Sequence, residues 1–289
     1  MQVETGRLLA RQFDPADAVA FQCHCGTAHD VFPLNRRRSA EHEVNRGDDG
    51  PDYSQEVIAE LNQLDGAEPR PGALPTGSAS AVWALDTTRG VIGGHEAGGA
   101  EALLDDDERK RAARLLRPGD RRTYLASHLG LRILLGGYLG VAPGEVRFVR
   151  EDCPGCGGPH GRPAVAGGGV HFSLSHSGDL AYFAFAGVPV GVDVEGLPSA
   201  EAVADILSSL HPAETAEITA LPEDGRRAAL ARVWSRKEAC LKGIGTGLAE
   251  GLVEPYVGAA ADPARIPGWT LSDVQAPPGY AAALAVHTA

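Results

Sequence analysis

The sequence predicts an α+β fold. Between Val170 and Val194, short alternating apolar runs are joined by tight turns, which is hairpin chemistry. Separate helical-period segments accompany them, the strongest over Ala228–Gly243. Strands joined by hairpins and mixed with helices argue α+β. With 289 residues, 43% of them hydrophobic, the chain can build one large domain or two small ones.

Residues 1–78 read as a largely disordered extension, sparse in apolar side chains and without period. Asn45 to Asp52 is loop chemistry, Glu68 to Ser78 a linker, and Gln55–Leu64 the one short helix expected there. From Ala81 the pattern changes. Ala81–Asp86 reads as a strand. Leu103–Leu116 reads as a helix capped by Asp105 or Asp106, with acids first and Arg111, Arg114 and Arg117 after, the order a helix dipole favours. Pro118-Gly119 is expected to stop it. Asp120 then caps a second helix to about Gly140, with Leu125, Leu129, Ile133 and Leu134 on its apolar side. Val146–Val149 is a short strand. Strands follow over His171–Ser175, Leu180–Phe185 and Val190–Val194, and helices over Ala200–Leu210, Glu214–Leu221 and Ala228–Gly243. Trp269–Ser272 and Tyr280–Val286 close the chain as strands.

The net charge of −12 argues against nonspecific nucleic-acid binding, which needs a basic footprint. No apolar run is long enough to span a membrane. The N-terminus lacks a signal-peptide core, so a cytoplasmic location with reduced thiols is expected.

Two segments carry chemistry. In Gly191-Val192-Asp193-Val194-Glu195, the carboxylates at i and i+2 share one strand face while Val192 and Val194 face the core. In Trp234-Ser235-Arg236-Lys237-Glu238-Ala239-Cys240-Leu241-Lys242, Glu238 and Lys242 share a helix face, with Lys237 offset by one. Each alone is also the pattern of a solvated face or a surface ion pair. Together they read as a Mg²⁺ site for a diphosphate, since Mg²⁺ takes a few carboxylates, waters and phosphate oxygens. A third segment, Ser173-Leu174-Ser175-His176-Ser177-Gly178, places a histidine at a strand end where it can meet an anion. A Ser175–His176 hydrolase dyad is the rival, but adjacent strand residues point to opposite faces.

These segments resemble the Sfp-type 4′-phosphopantetheinyl transferases of bacteria. Gly161-Arg162-Pro163, then Ser173–Gly178, then Val190-Gly191-Val192-Asp193-Val194-Glu195, then Trp234 through Lys242 match four motifs of that family in order, with Glu238 lying 45 positions after Asp193. The resemblance covers about residues 80–289. It implies two similar halves, 79–186 and 187–289, in a pseudo-twofold arrangement like holo-acyl-carrier-protein synthase. Each half would be a small antiparallel sheet with helices, with the active site at their interface. It implies Mg²⁺, or Mn²⁺ in its place, on Asp193, Glu195 and Glu238. It places coenzyme A with its 3′-phosphate near His176, Arg111 and Thr123, with Arg122 beside them. Arg162 and Ser175 fall near the adenine and Lys242 on the diphosphate. Glu238, Lys242 and Asp193 are then the catalytic residues. The partners implied are coenzyme A and apo acyl- or peptidyl-carrier proteins, with the enzyme a monomer and no nucleic acid or membrane involved. Glu108 departs from the family, standing where some members carry a phosphate-binding lysine. A Mg²⁺-dependent diphosphate hydrolase and a non-catalytic carrier-binding module are the alternatives.

Five cysteines leave one more pattern. Cys153-Pro154-Gly155-Cys156 with His160 has zinc-knuckle spacing, and Cys23, Cys25 and His29 could complete a structural zinc site. A glycine-rich loop with reduced thiols is the expectation.

Overall fold

The computed structural model describes residues 61–247 and 252–288. Strand β1 (Leu61–Gln63) lies parallel to β2 (Ser80–Asp86), with Leu61 opposite Val82. The helix expected over Gln55–Leu64 is therefore a strand at its described end; its earlier part lies outside the described residues. Residues 61–78 also belong to the folded body rather than to a disordered extension: Leu64 is 2% exposed, and Gly137 sits so close to Pro71 that a Cβ there would be 2.5 Å from the ring. Pairing with a strand distant in sequence supplies the burial that local composition does not announce.

The small hairpin β3 (Val91–Ile92) and β4 (His95–Glu96) leads into helix α1 (Asp106–Ala112). Asp105 caps α1, accepting from the N–H groups of Asp107 and Glu108, while the Glu108 carboxylate accepts from the N–H of Asp105. The helix ends at Ala112, before the expected Leu116, which is 92% exposed. Pro118 starts the next helix, α2 (Pro118–Leu139), instead of merely stopping the last, because its fixed φ and missing N–H suit the first turn. Asp120 falls inside that turn. Left-handed Gly140 ends α2.

Strands β5 (Phe148–Arg150) and β6 (Pro163–Val165) form a second small hairpin. Strands β7 (His171–Ser177) and β8 (Leu180–Ala186) then complete a four-stranded sheet in the order β1-β2-β8-β7, antiparallel except at β1. Strand β9 (Val190–Gly196), helices α3 (Ala200–Leu207), α4 (Pro212–Ala220) and α5 (Glu223–Ile244), and strands β10 (Trp269–Val274) and β11 (Tyr280–His287) follow. Their sheet is antiparallel in the order β10-β11-β9. The molecule is thus mixed α+β with small, mainly antiparallel sheets. No helix among the described residues is long and apolar enough to cross a membrane.

Three apolar clusters hold the layers together. Helix α2 lays Leu129, Ile133 and Leu134 on Leu85, Phe172, Phe183 and Phe185 of the first sheet. Helices α3 to α5 cover the outer face of the second sheet. Between the sheets, Val82, Ala84, Tyr182 and Ala184 meet Val190, Val192, Val194 and Leu284. Period-2 alternation explains the sorting: on β8, Phe183 and Phe185 turn to α2, and Tyr182 and Ala184 to the other sheet.

Candidate functional site

Strands β7 and β9 lie side by side without a backbone ladder. Serine side chains join them. The N–H of Val192 donates to the Ser173 hydroxyl at 3.0 Å, and that of Gly196 to the Ser177 hydroxyl at 3.2 Å. Ser175, between them, donates to Asp193 Oδ1 at 2.7 Å. The three serines stand at i, i+2 and i+4, so one strand face presents them all.

Helix α5 meets β9 backbone to backbone. A Cβ at Gly191 would lie 1.9 Å from the carbonyl oxygen of Ala239 and 2.5 Å from the nitrogen of Gly243. One at Gly243 would lie 2.6 Å from the Trp269 ring. Only glycines permit this approach, and it carries the last turns of α5 to Asp193. The alternation read from the sequence is observed: Val192 and Val194 are fully buried between the sheets, and Asp193 turns to α5.

Asp193 is 1% exposed. Lys242 Nζ reaches its Oδ1 at 2.5 Å and the Ser175 hydroxyl at 3.0 Å. Asp193 Oδ2 is buried with no hydrogen-bond partner among the described residues. Glu238, one turn before Lys242, has its carboxyl pushed up to about 7: burial and the Asp193 charge raise it, and the Lys242 ammonium only partly opposes them. Burial pulls the Lys242 ammonium down, but the carboxylates of Asp193, Glu238 and Glu195 outweigh that and hold it above the ordinary lysine range. Glu195 is half-buried, with the Ser177 hydroxyl 3.4 Å from Oε2.

Three carboxylates face one lysine, so negative charge is in excess. The donors are all oxygen and one buried oxygen is unused, which suits a hard divalent cation. Asp193, Glu195 and Glu238 could hold it. They are not drawn into a tight set: among the described residues, the one triad with ligand atoms all within 4.8 Å of one another is Cys153, Cys156 and His160. Like charges separate unless a cation lies between them.

His176 is buried on the opposite face of β7 from Ser175, toward α2. There Tyr124 stacks on His128 with ring centroids 4.0 Å apart. Burial lowers the His128 imidazole, helped by His176 and Arg111 and opposed by Glu108. The Arg111 charge also acts on Tyr124 and Arg150. Arg111, His176, His128 and Arg150 are thus close enough for their charges to act on one another, on the side of β7 away from Asp193.

The remaining predicted residues are held by partners within the protein. Arg122 pairs with Asp179 at 2.7 Å, and the Thr123 hydroxyl donates to the carbonyl of Gly178 at 3.1 Å, so both hold the β7–β8 turn. Arg162 is held by Glu151 at 2.7 Å and donates to the Gly243 carbonyl at 2.6 Å, tying the β5–β6 hairpin to α5. Ser175 sits on Asp193 and Lys242. Glu108 turns inward to Arg132 and His128, besides completing the α1 cap.

The sequence reading quoted Ser173 and Ser177 only as part of the histidine segment and missed that, with Ser175, their period-2 spacing joins β7 to β9. It also passed over Tyr124, His128 and Arg150, whose meeting depends on packing between distant elements. A cleft of about 550 Å³ at the start of α1, lined by Asp105, Asp106, Arg109 and Arg147 among others, contains none of the predicted site residues.

Known proteins bear on this geometry. A model of the 4′-phosphopantetheinyl transferase superfamily matches residues 189–268, a span that contains Asp193, Glu195, Glu238 and Lys242. The 4′-phosphopantetheinyl transferase HetI of Nostoc sp. is 34% identical over 195 residues, covering 64% of this chain and 79% of that protein. The 4′-phosphopantetheinyl transferase psf-1 of Bacillus pumilus is 37% identical over 83 residues, 28% of this chain and 35% of its own. A 4′-phosphopantetheinyl transferase of Bacillus subtilis is 26% identical over 149 residues, 51% of this chain and 62% of its own. The strand-and-helix pair bearing the carboxylates and the lysine lies inside the matched span, and the likeness to HetI extends well beyond it: this chain belongs to the 4′-phosphopantetheinyl transferase superfamily.

Proposed function

We propose that the chain transfers the 4′-phosphopantetheine group of coenzyme A to a serine of an acyl- or peptidyl-carrier protein, releasing adenosine 3′,5′-bisphosphate. The observation that carries this reading is the buried Asp193 with its unused Oδ2, flanked by Glu238 and Lys242. Asp193, Glu195 and Glu238 would hold Mg²⁺, which when bound would neutralise charge on the diphosphate. Lys242 has three donors, two of them engaged by Asp193 and Ser175, and the third would meet a phosphate oxygen. Glu238, with a carboxyl at about 7, is suited to take the proton of an incoming serine near neutral pH. Arg111 and His176 would meet the 3′-phosphate, and Arg162 would reach the nucleotide from the hairpin.

In this reading residues 79–186 and 187–289 are two similar halves related by a pseudo-twofold. Each pairs a sheet with one 22-residue helix, and the serine row between β7 and β9 is their interface. The protein would work as a cytoplasmic monomer on carriers of fatty-acid or secondary-metabolite synthesis. The test is incubation with coenzyme A, Mg²⁺ and a panel of apo-carriers. A mass gain of one phosphopantetheine arm on a carrier serine is expected. No gain on any carrier, with adenosine bisphosphate released in their absence, would make the protein a diphosphate hydrolase instead.

A further inference from the structure

We propose that Cys153, Cys156 and His160 bind a zinc ion that braces the β5–β6 hairpin. The ligand atoms of the three residues lie within 4.8 Å of one another, close enough to share one ion. Cys156 Sγ and His160 Nε2 already meet at 3.0 Å. The reduced loop expected from the sequence is thus folded into a compact knuckle.

The knuckle is built by backbone contacts as well as by ligand spacing. The N–H of Cys153 donates to the Gly158 carbonyl at 2.7 Å, the N–H of Gly157 to the Cys153 carbonyl at 2.7 Å, and the N–H of His160 to the Gly158 carbonyl at 2.8 Å. Gly158 leaves space that any side chain would fill: a Cβ there would lie 2.9 Å from His160 Nε2 and 3.4 Å from Cys156 Sγ. The ring and the thiol therefore converge where a glycine makes room for them.

The donor chemistry selects the metal. Two thiolates and an imidazole are the set zinc prefers, and unlike the carboxylate cluster they do not suit Mg²⁺. Binding releases two thiol protons to solvent, and the two thiolates then balance the charge of the divalent ion. The fourth tetrahedral position is left to a water or to a donor outside the trio.

The location gives the ion its role. Arg162 follows the knuckle directly and contacts the Gly243 carbonyl on α5. Pro154 of the knuckle approaches Gly245, the left-handed residue that ends α5, to within 3.9 Å of where its Cβ would be. A closed knuckle keeps that hairpin against the C-terminal end of α5.

The test is made on the full chain, purified without added metal under reducing conditions. Equimolar zinc by elemental analysis is expected, retained through gel filtration. Replacement by Co²⁺ should give thiolate-to-cobalt charge transfer and tetrahedral ligand-field bands. Cys156 is exposed, so Cys156→Ser should keep the near-ultraviolet circular dichroism of the parent while losing the cobalt charge-transfer intensity and most of the zinc. His160→Gln is the second variant, expected to change the ligand-field bands while keeping charge transfer. A chain that holds no zinc and gives no thiolate band when Co²⁺ is added to the reduced protein would overturn the proposal. So would undiminished zinc in both variants. None of these readouts depends on carrier loading, so the proposal stands or falls apart from the function proposed above.

Discussion

Lys237 and Lys242 stand on the same helix, each against a buried carboxylate, yet they do different things. Lys237 and Glu214 are both fully buried, 2.9 Å apart. The ammonium also donates to the carbonyls of Val253 and Pro255, at 3.3 and 2.6 Å. Glu214 in turn accepts from the N–H groups of Val257 and His211. Beside Lys237, Arg236 grips Asp273 with two nitrogens and reaches the carbonyls of Gly258, Ala260 and Ala261. Those two cations fasten the loop after α5, and every donor of Lys237 is occupied. At Lys242 the accounts do not close: Asp193 keeps an unused oxygen, and Glu238 is strained toward protonation. Burial alone does not separate a structural ion pair from a working one. On the function proposed above, unmatched charge does.

Substitution can break that contrast. If Glu238 holds the metal and takes the serine proton as proposed, Glu238→Gln should lower carrier loading on the order of 10³-fold. The urea midpoint near pH 5, where Glu238 stays protonated in the folded state, should match that of the parent, measured beside mass-spectrometric loading; near-parental loading would remove Glu238 from the chemistry. Lys237→Ala should do the opposite. It strands Glu214 in the interior and should cost about 4 kcal/mol in urea unfolding, with loading per folded molecule little changed. A cost under about 1 kcal/mol would mean that the pair is not the internal fastening described.

Gly191→Ala tests the contact that delivers Lys242 to Asp193. Its Cβ would fall 1.9 Å from the Ala239 carbonyl, so β9 and α5 must part. A loss of about 3 kcal/mol is expected by denaturant unfolding, together with weaker loading.

The smallest effect is in pH. The Glu238 carboxyl is raised from 4.5 to about 7 by folding, so between those values the folded state keeps a proton that the unfolded chain has released. Without metal, stability should therefore fall as pH rises through that window, by about 2 kcal/mol given that the side chain still reaches solvent. Glu238→Gln should flatten the slope. An unaltered slope in that variant would assign the titration to another group.

Much of this was legible in the sequence for local reasons. Period-2 spacing put Asp193 and Glu195 on the face opposite the valines, and helical spacing put Glu238 beside Lys242. Asp105, with Asp106 as the alternative, announced a capped helix. What stayed hidden depends on partners far along the chain. Leu61–Gln63 becomes a strand because β2 offers it an edge, and Glu108 is drawn inward by Arg132 and His128 of α2. Pro118 was read as a stop when it was a start, since proline serves both ends of a helix boundary. Lys237, one position off Glu238, is turned about 100° round α5 and meets Glu214 instead.

The serine row on β7 has a consequence for how the protein behaves among its neighbours. Strand β9 pairs with β11 on one side only, and a half-paired strand offers its outer N–H groups to any extended chain that drifts past. Ser173 and Ser177 cap two of those donors with hydroxyl oxygens, so the strand is closed to foreign strands without being zipped to a partner strand. Hydroxyls give where a ladder would not, and an edge guarded in this way does not invite aggregation.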